Sequence, residues 1–129
     1  MADLLAVDLV APDRTVWTGE ATMVIARTAE GEVGILPHHA PLLGALTSGP
    51  VIIRQEGGGA VVAAVHGGFL SVADNRVGIL VELAELADEI DQGRAQQALE
   101  RARTEAADDD AKDALRRAEA RVRAHELAG

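Results

Sequence analysis

The sequence predicts an α+β protein: an N-terminal β-sandwich followed by a C-terminal antiparallel helical hairpin. Three observations predict it. Short apolar runs separated by glycine-rich or Asp-Asn turns fill residues 1–84. All of the 13 glycines except Gly93 and Gly129 lie in that part. After Glu85 the composition switches to Ala, Arg, Glu, Gln and Leu, which are strong helix formers. The chain of 129 residues thus divides into a sandwich over 1–84 and a hairpin over 85–129.

Residues 4–10 alternate, with Leu5, Val7 and Leu9 on one face, and read as a strand. Residues 20–28, rich in branched side chains, predict another. The runs 50–56 and 60–66 flank Gly57-Gly58-Gly59, a hairpin whose glycines supply the positive φ of a tight turn. Runs 69–73 and 76–82 flank Asp74-Asn75, a second hairpin of the same kind. Trp17 and Phe69, the two large rings, are expected to fill the sandwich core.

Helices are predicted over 91–107 and 110–127. Leu99, Ala102 and Ala106 form a stripe on the first; Ala111, Leu115, Ala118 and Val122 form one on the second. Asp108, Asp109 and Asp110 between them can cap the second helix and favour its N-terminal dipole. Facing stripes made mostly of alanine bury little area, and two such helices are marginal alone in water. The hairpin therefore needs a partner surface, and one that it can leave.

Composition excludes several functions. Twelve Lys+Arg against 21 Asp+Glu give a net charge of −9, the wrong sign for a nucleic-acid footprint. There is no cysteine, hence no disulfide, thiolate metal site or cysteine nucleophile. Apolar runs fall short of the roughly 20 residues of a spanning helix, and the acidic start lacks the basic region of a leader. No direct membrane insertion is expected. The only lysine is Lys112, followed by Asp113, so no phosphate loop exists. Neither Ser48 nor Ser71 stands in a nucleophile elbow. His38 and His39 are adjacent and point apart, and no metal-ligand spacing accompanies them. The reading is a binding or regulatory subunit with no catalytic and no metal residues. A small acidic adaptor or binding module is the other reading, and scarce aromatics count against a sugar-binding one.

The stretch Gly31-Glu32-Val33-Gly34-Ile35-Leu36-Pro37-His38-His39-Ala40-Pro41-Leu42-Leu43 closely resembles the signature of the epsilon subunits of F-type ATP synthases. Gly67-Gly68-Phe69-Leu70-Ser71-Val72 and Ile90-Asp91-Gln92-Gly93-Arg94-Ala95 resemble two further motifs of that family, in order and over nearly the whole chain. The resemblance implies a non-catalytic rotor subunit. Its sandwich would bind the gamma subunit and sit on the c-ring, and its hairpin would contact the alpha/beta catalytic head and restrain ATP hydrolysis. It implies a peripheral protein on the cytoplasmic face of a bacterial membrane.

The resemblance also carries residue expectations. Glu32, in the turn Glu30-Gly31-Glu32, matches the c-ring contact, where an exposed acid can meet polar-loop arginines. His39 matches the gamma contact; the alternative for it is loop packing with a backbone hydrogen bond. His38 stands where relatives often carry glycine. Ile90, Asp91, Arg94, Ala95, Arg101, Arg117 and Arg121 match a regulatory ATP site in some bacterial relatives, with no cofactor required. Arg116, Arg117, Arg121 and Arg123, a basic segment within eight residues, match the family's basic second helix, which faces an acidic motif near the C-terminal end of the beta subunit. Taken without the resemblance, these arginines read as a solvated face balanced by acids, Arg101 with Glu105 and Glu119 with Arg123, each four apart.

Overall fold

A computed structural model describes residues 3–90, 92–105 and 109–128. Asp91 of the expected nucleotide set, Ala106 of the first stripe and Asp108 of the capping run lie outside the described residues, as do the side chains of Glu105, Asp109, Asp110 and Ala111. Eight strands come first: β1 (Leu5–Ala11), β2 (Arg14–Ala21), β3 (Met23–Thr28), β4 (Gly31–Ile35), β5 (Leu42–Leu46), β6 (Gly49–Arg54), β7 (Ala60–Ala73) and β8 (Arg76–Leu86). A 3-10 turn, Ala87–Glu89, leads to α1 (Gln92–Glu105) and α2 (Asp109–Ala128).

The strands hydrogen-bond in the order β2-β1-β8-β7-β5-β3-β4, and β6 pairs with both β3 and β7. Only β1 and β8 run parallel among these pairs. The sheet folds over into a sandwich whose core includes the fully buried Leu5, Leu9, Val24, Ile35, Ile53, Leu70 and Ile79. Each such side chain contributes about 1.5–3 kcal/mol by leaving water. Asp74 and Asn75 both take positive φ, as do Gly57 and Gly58, so both predicted hairpin turns are present.

The run 20–28 is not one strand. β2 ends at Ala21 and β3 begins at Met23, with Thr22 bonded through its N–H to the Arg54 carbonyl at 2.7 Å. The chain changes partners there, from β1 to β6 and β4. β4 and β5 were not expected, because glycines and the prolines Pro37 and Pro41 give this stretch the composition of a loop.

β7 is a single strand that serves two neighbours. Residues from Ala60 to Val65 pair with β6, and residues from Gly68 to Val72 pair with β5. Between them Gly67 and Gly68 take φ of 71° and 134°. The change reverses which side chains point inward. Ala63 and Val65 face the sandwich core before it, whereas Leu70 and Val72 do so after it. Phe69 is therefore turned out and 57% exposed, which corrects its expected place in the core. Trp17 does pack against the core from its edge, its ring lying over Gly19.

A second apolar cluster lies outside the sandwich. Val62 and Ala64 of β7 join Ile90, Ala95 and Leu99 with Ala118, Ala120, Val122 and Ala124 of α2. α2 is thus held between α1 and the β6–β7 face. At 100° per residue, Ala120 and Ala124 lie nearly opposite Ala118 and Val122. The helix buries two faces where the sequence predicts one stripe. The pair of helices, joined by three residues, packs as the predicted hairpin and is folded down on the sandwich.

Candidate functional site

Two surfaces carry the chemistry. The first lies beneath the hairpin. Among the described residues, His66 of β7 is the one buried polar side chain, 4% exposed, and neither ring nitrogen has a hydrogen-bond partner. It shares the α2 side of β7 with Val62 and Ala64. Its Nε2 lies 3.8 Å from Oε1 of Glu85, and that same oxygen accepts from Arg121 Nε at 2.5 Å. Glu85 and Arg121 are both about three-quarters buried, so this ion pair ties α2 to β8. Burial first, then Arg121, pushes the His66 ring down to about 4; Glu85 pulls it up, and Arg117 adds to the lowering. The ring is neutral at pH 7.

The expected arginines separate into two groups here. Arg121 is held by Glu85, and the half-buried Arg117 acts on His66 through its charge. Arg116 and Arg123 are exposed, the first on Asp113 at 2.8 Å and the second 4.0 Å from Glu126. On α1, Arg94 and Arg101 are exposed, while Ile90 before the helix and Ala95 within it are buried in the helical cluster. A groove of about 1410 Å³ runs between hairpin and sandwich, bordered by Arg27, Glu32, His66, Arg117, Glu119 and Arg123. Its charges are mixed.

At the base of the hairpin, Arg14 of β2 reaches both carboxylate oxygens of Glu89, at 2.9 and 3.1 Å. Glu89 also accepts the Leu86 N–H at 2.9 Å. The Arg14 hydrogen bond, and then the Leu86 bond, hold Glu89 below the usual carboxylate range.

The second surface is the outer face of the sandwich. Ala45, Phe69 and Leu80 lie directly across from one another on β5, β7 and β8, and Val10 continues the row on β1. Leu43, two residues from Ala45, shares their face and is 74% exposed; Leu80 is 57% exposed. Contiguous exposed apolar strips are a general feature of interaction surfaces. Sequence reasoning missed it, because it placed Phe69 in the core.

Glu32 and His39 stand at opposite ends of β5. Glu32 is the second residue of β4 rather than part of a turn, and it is exposed opposite Arg27. Its hairpin adjoins the Leu46 end of β5, where the Ala29 N–H donates to the Ala45 carbonyl. The 36–41 loop precedes the Leu42 end and meets the 74–75 turn through the His38 N–H and Asn75 Oδ1, 2.6 Å apart. His38 takes φ of 70°, a conformation that favours glycine, and its ring pairs with Asp3. His39 is half-buried, and its Nδ1 donates to the Ala40 carbonyl at 2.7 Å.

Among the described residues no group of three or more His, Asp or Glu could hold a metal ion, and no helix is long and apolar enough to cross a membrane.

A β-sandwich carrying a folded-down helical hairpin, with an apolar strip on its outer face, is the build of an assembly subunit. A family model described as the ATP synthase delta/epsilon chain β-sandwich domain matches residues 4–87. The ATP synthase epsilon chain of Streptomyces griseus is 59% identical over 124 residues, covering 96% of this chain and 97% of that one. The ATP synthase epsilon chain of Thermobifida fusca is 50% identical, covering 93% and 90%. A chain in the cryo-EM structure of the Euglena gracilis mitochondrial ATP synthase OSCP/F1/c-ring assembly superposes with a TM-score of 0.73 at 27% identity, covering 95% of this chain and 78% of that one. The chain belongs to the family of ATP synthase epsilon chains.

Proposed function

We propose that this chain is a non-catalytic central-stalk subunit of a bacterial F-type ATP synthase, with residues 1–84 as a permanent anchor and residues 88–129 as a mobile brake on ATP hydrolysis. The observation that carries this reading is the separation of the two apolar clusters. The sandwich core is complete without the helices, and the hairpin sits on its outside through a separate cluster rich in alanine, with the Arg121–Glu85 pair on α2 and the Arg14–Glu89 pair at its base. Such an interface leaves a docked and an extended hairpin within a few kcal/mol of each other.

The outer strip around Phe69, with the His39 loop at one end of β5, suits a gamma-subunit contact. Glu32 at the other end suits the polar loops of a c-ring. The coupling of proton flow to synthesis would pass through these two contacts, at the cytoplasmic face of the membrane. In the extended hairpin, Arg116, Arg117, Arg121 and Arg123 would face an acidic segment of the beta subunit in the alpha/beta head.

Regulatory ATP is part of the same reading. It would bind the docked hairpin through Ile90, Asp91, Arg94, Ala95, Arg101, Arg117 and Arg121, where guanidiniums suit a triphosphate. A ligand held only by the docked state opposes release. Isothermal titration of the isolated subunit with millimolar Mg-ATP tests this part, and absence of heat overturns it.

The brake is tested by ATPase rates of the assembled head with the full-length chain and with a chain stopped after residue 87. The truncated chain is expected to bind gamma and raise hydrolysis. Unchanged hydrolysis would make the hairpin a structural tail.

A further inference from the structure

His66 serves neither the sandwich core nor the outer strip, yet it is buried with two idle ring nitrogens. Arg27 of β3, Glu32 of β4 and Arg103 of α1 border the same groove, but the charges that act on the ring come from two elements. α2 presents Arg117 and Arg121, and β8 presents Glu85, with Glu82 bordering the same groove. The other neighbours of β7 add no titratable side chain over Leu42–Leu46 of β5 or from Gly49 to Ile53 of β6. In the 3-10 turn, Asp88 is exposed and Glu89 is taken by Arg14.

One oxygen decides the arrangement. Glu85 Oε1 accepts from Arg121 Nε at 2.5 Å and stands 3.8 Å from His66 Nε2. While the imidazole is neutral, that oxygen belongs to Arg121, and α2 is tied to β8. A protonated ring has two donors and no acceptor. It would compete for Glu85 Oε1 and place a third cation beside two guanidiniums in a poorly hydrated site.

We propose that His66 is an acid-triggered release catch for α2: protonation of its ring draws Glu85 away from Arg121, sets like charge against Arg117 and Arg121, and frees the second helix from the sandwich. The catch rests on the reading of the hairpin as a mobile element.

The direction follows from linkage. With α2 away, the ring is in water and titrates near 6.5; under α2 it is held down to about 4. The released state therefore binds the proton first. Above pH 6.5 the docked state carries no penalty from His66. Below it, each pH unit lowers the docked-to-released ratio about tenfold, until the ring protonates in place near 4. Between pH 7.5 and 5.5 the released-to-docked ratio rises roughly tenfold.

The chain contains no cysteine, so spin labels on Ala60→Cys and Glu119→Cys, both at exposed positions, report the separation of α2 from the sandwich in the full-length protein. The released population is expected to rise about tenfold relative to the docked one from pH 7.5 to 5.5, and to stay flat in the same chain carrying His66→Gln. NMR titration of the His66 ring in the unsubstituted chain needs no variant and is expected to give a midpoint well below the ordinary one. A flat ratio in the parent chain, an equal slope in His66→Gln, or a ring titrating at its ordinary value overturns the catch. None of these results bears on whether truncation after residue 87 raises hydrolysis, so the catch and the brake fail separately.

Discussion

Gly68 lies against the backbone of Leu80 so closely that a Cβ at residue 68 would stand 2.0 Å from the Leu80 carbonyl oxygen. Its φ of 134° is also one that side-chain-bearing residues rarely adopt. This contact sits where β7 reverses its inward face, and it is what allows Val65 and Leu70 to enter the same core. Gly68→Ala must move backbone rather than a flexible side chain. The expected cost is at least about 3 kcal/mol, read as a fall in melting temperature of the sandwich. A variant that melts with the parent would mean that β7 does not bend at this residue.

Phe69 and Leu80 present the opposite case. Both are large, apolar and more than half exposed in one cross-strand row with Ala45. Phe69→Ser and Leu80→Ser are expected to change stability by no more than about 0.5 kcal/mol each. Their effect is expected on association: a gamma-subunit pull-down or titration should weaken by tenfold or more, as for an aromatic anchor at an interface centre. Loss of stability without loss of binding would return Phe69 to the core.

Glu85 joins the sandwich to α2. Glu85→Gln removes the partner of a guanidinium that is about three-quarters buried, and the one neighbour that raises the His66 pKa. The docked hairpin is expected to lose about 1–2 kcal/mol. Spin-label distances or hydrogen exchange of α2 amides would record the loss, while sandwich amides stay protected. A double-mutant cycle with Arg121→Gln isolates the pair, and a coupling near zero would show that alanine packing alone holds the helix.

The Arg14–Glu89 pair fastens the start of the hairpin to β2 in a different way. Both side chains are well exposed, so the contribution is small and screened by salt. Its pH sign is that of a carboxylate with lowered pKa. The contribution is complete above the ordinary value of 4.5 and is lost as pH falls through the lowered value, where Glu89 protonates. Acid titration of the parent against Glu89→Gln should diverge only above that window and converge below it. Divergence that persists in acid would assign Glu89 a role other than this ion pair.

Much of this architecture is legible in the sequence, and the illegible parts have physical causes. Gly57-Gly58-Gly59 and Asp74-Asn75 announce their hairpins, because positive φ selects those residues. The change of composition after Glu85 announces the helices. β4 and β5 are hidden, since five-residue strands broken by glycine look like loops. The exposure of Phe69 is hidden by Gly67 and Gly68, which shift the alternation by one residue and so exchange the two faces. The site beneath the hairpin is hidden for another reason: His66 of β7, Glu85 of β8 and Arg117 and Arg121 of α2 come from three elements distant in sequence and are brought together by tertiary packing. Alanine gives no sign of which of its faces is buried, and so the second face of α2 went unseen.

That second face yields a prediction with opposite consequences for the two halves of the protein. Ala124 is fully buried against the sheet-and-helix cluster, yet it takes no part in the sandwich core. Ala124→Leu adds three carbons where there is no room. Overpacking of this kind costs about 1–3 kcal/mol, and the strain can be relieved by letting α2 leave, because nothing covalent holds it down. The sandwich should melt as before, while the spin-label distance between α2 and β7 lengthens. In the assembled head the brake reading then makes a distinctive demand. Truncation removes the helices and should raise hydrolysis; Ala124→Leu keeps them but disfavours the docked position, and should lower it. A purely structural hairpin would give the same direction for both changes, or none. ATPase rates of heads carrying the parent, the truncated chain and Ala124→Leu, measured side by side, decide between a helix that is merely attached and one that moves to act.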